Sequence, residues 1–98
     1  LLMMNGYAQH GVKFMEGNFQ EALEIAKQQN KMLFVDVYTS WCGPCKQLAK
    51  TVFMDPDAAN FFNEHFVNLK MDMEKGEGIN LKDRFEVKAY PTLLFING

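Results

Sequence analysis

Met32-Leu33-Phe34-Val35-Asp36-Val37-Tyr38-Thr39-Ser40-Trp41-Cys42-Gly43-Pro44-Cys45 is the stretch on which the fold turns. Its first seven residues are almost continuously apolar and β-rich, the pattern of a central strand buried on both faces. Asp36 is the single charge in that run. A Cys-x-x-Cys follows, and then the spacing changes. Leu48, Ala49, Val52 and Phe53 repeat at i, i+1, i+4 and i+5, which predicts one apolar face of a helix.

Outward from this centre the alternation of strand and helix continues. Val12 to Met15 is a short alternating run that predicts a strand. Asn18 stands three residues before Glu21, as at a capped helix start, and Phe19, Ala22, Leu23 and Ala26 carry helical spacing to about Gln29. Downstream, Asp55-Pro56 is an N-cap followed by proline at the first helical position. Ala58, Ala59, Phe62 and Phe66 then give an apolar stripe. Val67, Leu69, Met71 and Met73 alternate with polar residues and predict another strand. Glu74 to Gly78 reads as a charged loop and Asn80 to Phe85 as a short helical turn. Tyr90-Pro91-Thr92 leads into Leu93 to Ile96, apolar at every position as for a strand covered on both faces. The succession predicts an α/β domain, a central sheet flanked by helices.

Composition narrows the function. The chain has 98 residues, enough for one domain, and at 48% hydrophobic with nine Phe it can fill a core. Its net charge of -2 comes with no basic stripe, so nucleic acid is not an expected partner. No apolar run has the length of a bilayer span, so stable membrane insertion of the domain is not expected. Leu1 to Met4 form an apolar stub, followed by small residues at Gly6 and Ala8. This reads as the tail of a secretory signal peptide over residues 1–8, cut between Ala8 and Gln9, and it points to an exported, periplasmic location for residues 9–98. The alternative is an apolar lead-in to a cytoplasmic protein. At the other end, Asn97-Gly98 is a hairpin signal after the last strand. It raises the expectation that a closing strand and helix continue the domain.

The chemistry rests on the two cysteines. They are the only two, and they sit in one motif. A disulfide-held secreted scaffold needs several spread pairs, and a loop this small constrains the unfolded chain little. Thiol–disulfide exchange needs an attacking thiolate and a nearby resolving thiol. At a helix start, unpaired N–H groups and the macrodipole stabilise a Cys42 thiolate, and such thiols fall from ~8.5 to about 3.5–7.5. Cys42 is therefore expected to be the more exposed and more acidic thiol. Pro44 preforms the first turn, Gly43 leaves room for a partner chain, and Trp41 presents a ring beside the pair. Two other readings exist. Half a zinc site would need about two further ligands, and only His10 and His65 could join the cysteines. An inert structural disulfide is the other alternative. The methionines, Met71 and Met73 among them, read as core filler rather than metal ligands, and no metal is expected.

Trp41-Cys42-Gly43-Pro44-Cys45 matches the thioredoxin active-site motif residue for residue. Phe34-Val35-Asp36-Val37, with its acid six positions before Cys42, and Tyr90-Pro91-Thr92, just before a strand, also resemble that family. The resemblance spans roughly Val12 to Gly98. It extends to exported bacterial thioredoxin-like domains, including those related to the C-terminal domain of the transmembrane disulfide reductase system. It implies a thioredoxin-like fold with the last strand and helix missing. It also implies a thiol–disulfide oxidoreductase acting on cysteine-containing proteins, with Cys42 as nucleophile and Cys45 as resolving thiol. Asp36 would be the buried acid that takes the Cys45 proton. Pro91 would be cis, with Tyr90 and Thr92 flanking the substrate strand. The redox group would be the Cys42–Cys45 disulfide itself, with no other cofactor, and a redox partner would re-reduce it. The alternative function is a non-catalytic peptide-binding module of the same fold. One departure stands out. The family's strand lysine falls on Asn68, with Lys70 two residues further along the same face, so whether Lys70 takes that role stays open.

Overall fold

The computed structural model describes residues 11–97. The signal-peptide reading of residues 1–8, His10 and the last residue of the terminal turn lie outside these residues. The apolar run at the centre forms strand β2 (Met32–Tyr38), and five consecutive residues of it, Leu33 to Val37, are buried. β2 lies inside a four-stranded sheet of order β1-β3-β2-β4, in which β1 is Phe14–Glu16, β3 is Phe66–Asp72 and β4 is Thr92–Ile96. β1, β3 and β2 run parallel, and β4 runs antiparallel to β2. Among the described residues four helices flank the sheet: α1 (Phe19–Gln28), α2 (Gly43–Lys50), α3 (Pro56–His65) and α4 (Gly78–Arg84).

Side chains alternate across the sheet and build two different cores. On one face, Leu33, Val35, Val37, Leu69, Met71 and Met73 pack against Phe19, Ala22 and Ala26 of α1 and Leu81 of α4. On the other, Phe34 is the hub of an aromatic cluster with Phe14, Phe53, Phe62, Phe66 and Phe95, at centroid distances of 4.8–6.3 Å. The helix starts follow the capping residues. Asn18 accepts the Glu21 N–H at 2.9 Å, and Asp55 accepts the Ala58 N–H at 3.0 Å.

Four sequence expectations need correction. α2 stops at Lys50, and Val52 and Phe53 belong to a separate 3₁₀ turn in which Phe53 is buried and Val52 is exposed. Each of the two segments ends at its own residue, α2 at Thr51 and the 3₁₀ turn at Asp55. Thr51 turns out of helical geometry at φ -109°, ψ -84°, and Pro56 forces Asp55 into the extended region at ψ 128°. Phe66 is a strand residue, because β3 begins directly after His65 with no intervening turn. α4 starts at Gly78, earlier than Asn80, because the chain doubles back tightly on the end of β3. Finally, β4 is not covered on both faces: Leu93 and Phe95 are exposed where β4 forms an edge of the sheet.

Candidate active site

β2 delivers the chain to the site, and α2 begins there. The Cys42 N–H donates to the Thr39 carbonyl at 3.3 Å, turning the chain off the strand. Cys42 is the N-cap of α2 in extended geometry, and Pro44 sits in the first turn. The Cys42 Sγ accepts the N–H of Cys45 at 3.1 Å, so the sulfur occupies the place of a capping oxygen. One helical turn inward, Cys45 forms a disulfide with it, the two Cα atoms 5.3 Å apart. A Cβ on Gly43 would meet nothing within 4 Å, so that flank of the pair is open.

The expectation that Cys42 is the more exposed cysteine does not hold in this disulfide form. Cys42 is 2% exposed and Cys45 7%. What separates them is the helix end: only the Cys42 sulfur receives a backbone N–H from the first turn.

Asp36 lies behind the pair, 2% exposed, and among the described residues its Oδ1 has no hydrogen-bond partner. It lines a cavity of about 120 Å³ with Tyr38, Thr39, Cys45, Lys46 and Lys70, so it shares this space with the second cysteine. Burial pushes its carboxyl up from 3.8 to about 6, and the nearby Lys70 charge opposes the rise. Burial likewise raises the Tyr38 hydroxyl, with Asp72, Glu16 and Asp36 adding repulsion.

Strand register answers the question about the lysine. Lys70 is the cross-strand partner of Asp36, whereas Asn68 pairs with Phe34. The Asn68 Nδ2 donates to the Phe62 carbonyl at 3.2 Å, so this residue serves the aromatic core. Lys70 also faces Glu16 of β1, and its ammonium lies 5.2 Å from the Tyr38 ring centroid and 5.8 Å from that of Phe14. It is held beside Asp36 by rings as well as by charge.

On the outer rim, the Tyr90–Pro91 peptide bond is cis. The Tyr90 ring meets the Trp41 ring edge-to-face at 6.0 Å. Trp41 is exposed, and its Nε1–H donates to the Glu74 Oε1 at 2.9 Å. Thr92 opens β4 opposite Val37, and its hydroxyl donates to the Ala89 carbonyl. The fold thus gathers Trp41 to Cys45, Asp36 and Tyr90 to Thr92 around one end of β2. Sequence reasoning missed Glu74, Thr39 and Lys46. Of these only Glu74 had a visible signal, as an acid in the loop after the strand. Among the described residues no group of three or more His, Cys, Asp or Glu side chains is placed to hold a metal. His65 packs on Phe61 instead.

Known proteins resemble this chain in sequence and fold. A family model described as thioredoxin-like matches residues 14–98. The chain is 33% identical over 79 residues to Thioredoxin-1 of Drosophila melanogaster, covering 81% of this chain and 67% of that protein. It is 32% identical over 90 residues to the thiol:disulfide interchange protein DsbD of Haemophilus influenzae, where the match covers 88% of this chain but 15% of that protein. The solution structure of a candidate disulphide-isomerase from Bacteroides thetaiotaomicron superposes with a TM-score of 0.80 at 60% identity, covering 90% of this chain and 73% of the other. With a matching model over most of its length and the disulfide in place at the start of α2, the chain belongs to the thioredoxin-like family of thiol–disulfide oxidoreductases.

Proposed function

We propose that this chain is a reductase or interchange protein that exchanges its dithiol for disulfides in cysteine-containing proteins outside the cytoplasm. One observation carries the reading: Cys42 caps α2 with its sulfur on a backbone N–H, while Cys45 shares a cavity with the buried Asp36. In the reduced form, the Cys42 thiolate attacks one sulfur of a substrate disulfide. A mixed disulfide forms, and the other substrate sulfur leaves as a thiolate and takes a proton from water. Asp36 accepts the Cys45 proton, and a carboxyl near 6 suits that exchange around neutral pH. Cys45 then attacks the Cys42 sulfur, the mixed disulfide breaks, and the substrate leaves with two thiols. The substrate gains two electrons, and the Cys42–Cys45 disulfide is the oxidised product. A thiol-bearing redox partner returns the electrons, and no separate cofactor enters the cycle. The backbone of Tyr90 beside Pro91 pairs with an extended substrate segment, framed by Trp41, Gly43, Pro44 and Thr92. The signal-like lead and the resemblance to exported interchange domains support the location.

The test is insulin reduction with dithiothreitol as donor. The wild-type chain is expected to turn over and Cys42→Ser to lose all catalysis. A wild-type chain that binds peptides without turnover would be a binding module instead. The equilibrium reduction potential of the pair gives the direction of electron flow; the Gly43-Pro44 dipeptide resembles that of the family's reducing members.

A further inference from the structure

The geometry points to a two-point clamp in which the connection between β3 and α4, residues 72–78, fixes the Trp41 indole beside the cysteine pair, Glu74 holding the ring and Glu77 holding the connection.

Trp41 is 63% exposed, and a side chain so open to solvent ordinarily samples several rotamers. Here it is held on two sides, by the hydrogen bond to Glu74 at 2.9 Å and by the Tyr90 ring at 6.0 Å. The connection that carries Glu74 is itself anchored, at the start of α1. Both carboxylate oxygens of Glu77 accept the N–H of Phe19, at 3.1 and 3.0 Å, at the first turn of α1. That N–H has no partner within its own helix, and the helix end favours an acid. Between the anchors the chain is folded tightly on itself. Glu74 N–H donates to the Asp72 Oδ1 at 2.9 Å, Lys75 N–H to the Asp72 carbonyl at 3.3 Å, and Gly78 N–H to the Lys75 carbonyl at 3.1 Å. A Cβ on Gly78 would collide with the Asp72 carbonyl. Asp72 closes this turn, so the indole is left to Glu74.

The inference rests on the proposed function. A partner chain approaching Cys42 meets an indole whose orientation is already fixed, so less side-chain freedom is lost on binding. Glu77 touches neither the ring nor the sulfurs; it is a positioning residue.

Trp41 is the single tryptophan, so fluorescence reads it directly. Nanosecond anisotropy decay on the oxidised chain is compared across Glu74→Ala, Glu74→Gln, Glu77→Ala and Glu77→Gln. Both alanine variants are expected to free the indole. Both glutamine variants, which keep an accepting oxygen, are expected to stay close to wild type. In insulin reduction, Glu74→Ala should raise KM about two- to tenfold with kcat little changed, and Glu74→Gln should restore it. Wild-type anisotropy in Glu74→Ala overturns the clamp. A freed indole in Glu74→Ala with an unaltered one in Glu77→Ala overturns its second point. A fall in kcat with unchanged KM overturns the role in substrate presentation. If the wild-type chain reduces no insulin, the functional reading fails, while the anisotropy still decides the clamp.

Discussion

Asp36 binds its proton more tightly in the folded chain than its ordinary 3.8 allows, because burial raises the carboxyl to about 6. The sign of the linkage follows. Stability from this group is fully present below about pH 3.8 and is lost as pH rises through about 6, a gap of about 3 kcal/mol. Asp36→Asn cannot ionise. It should therefore be more stable than wild type by up to about 3 kcal/mol at neutral pH and nearly equal to it below pH 4, as read by urea melts at both pH values. The same variant should slow the Cys45 step most near and below neutral pH, with the loss shrinking as hydroxide takes over the proton. Equal stability at both pH values would place the carboxylate in water. Lys70 opposes the rise in Asp36, so Lys70→Met should move the pH midpoint of exchange upward, and an unmoved midpoint would remove Lys70 from the site. Cys45→Ser should trap mixed disulfides on Cys42, visible as adducts on non-reducing gels. The cysteines and Asp36 were legible because contiguous sequence carries them: a motif at a helix start, and one acid in an apolar run. Lys70 was not, because choosing it over Asn68 requires the register between β2 and β3, a long-range property.

Among the elements, the sequence read well wherever a local signal sets a boundary. Asn18 and Asp55 start α1 and α3 by accepting N–H groups three residues ahead, and both starts were visible as residue types. It misread the boundaries where periodicity runs through a break. Val52 and Phe53 continue the spacing of Leu48 and Ala49, yet Thr51 ends the helix, its hydroxyl donating to the Gln47 carbonyl at 2.8 Å. The apolar spacing alone carries no sign of that stop. The turn into α4 is another case, because its tightness comes from contact between Gly78 and the backbone of Asp72. Gly78→Ala should therefore force the connection to shift, costing about 1–3 kcal/mol in chemical denaturation. A loss below ~0.5 kcal/mol would mean that the turn relaxes freely.

At the scale of the whole molecule, the strand order β1-β3-β2-β4 could not be read from the chain, since β1 and β2, and likewise β3 and β4, follow one another in sequence without being neighbours in the sheet. That order places the apolar β4 at an edge, and it explains why a strand expected to be covered on both faces shows Leu93 and Phe95 to solvent at 41% and 49%. Phe95 packs on Phe66 at 5.4 Å, and Phe66 on Phe61 at 6.1 Å, so the exposed apolar surface runs from β4 across to α3, where Phe61 is 54% exposed. Apolar surface that is continuous and borders a sheet edge favours association between chains. The described chain should therefore self-associate as concentration rises, seen as an increasing weight-average mass in sedimentation equilibrium. Phe61→Lys with Leu93→Thr should return the mass toward that of one chain. The lysine charges the helix side of the patch, and threonine keeps strand propensity while shedding apolar surface. Neither position belongs to the buried core, so the urea midpoint should change by less than about 1 kcal/mol in stability. Leu93 is the cross-strand partner of Asp36, so activity is read on Phe61→Lys alone: Phe61 lies on α3 and does not line the cavity of Asp36 and Cys45, and insulin reduction by that single variant should persist. A wild-type chain that stays monomeric at every concentration would show that this patch is too small or too curved to pair.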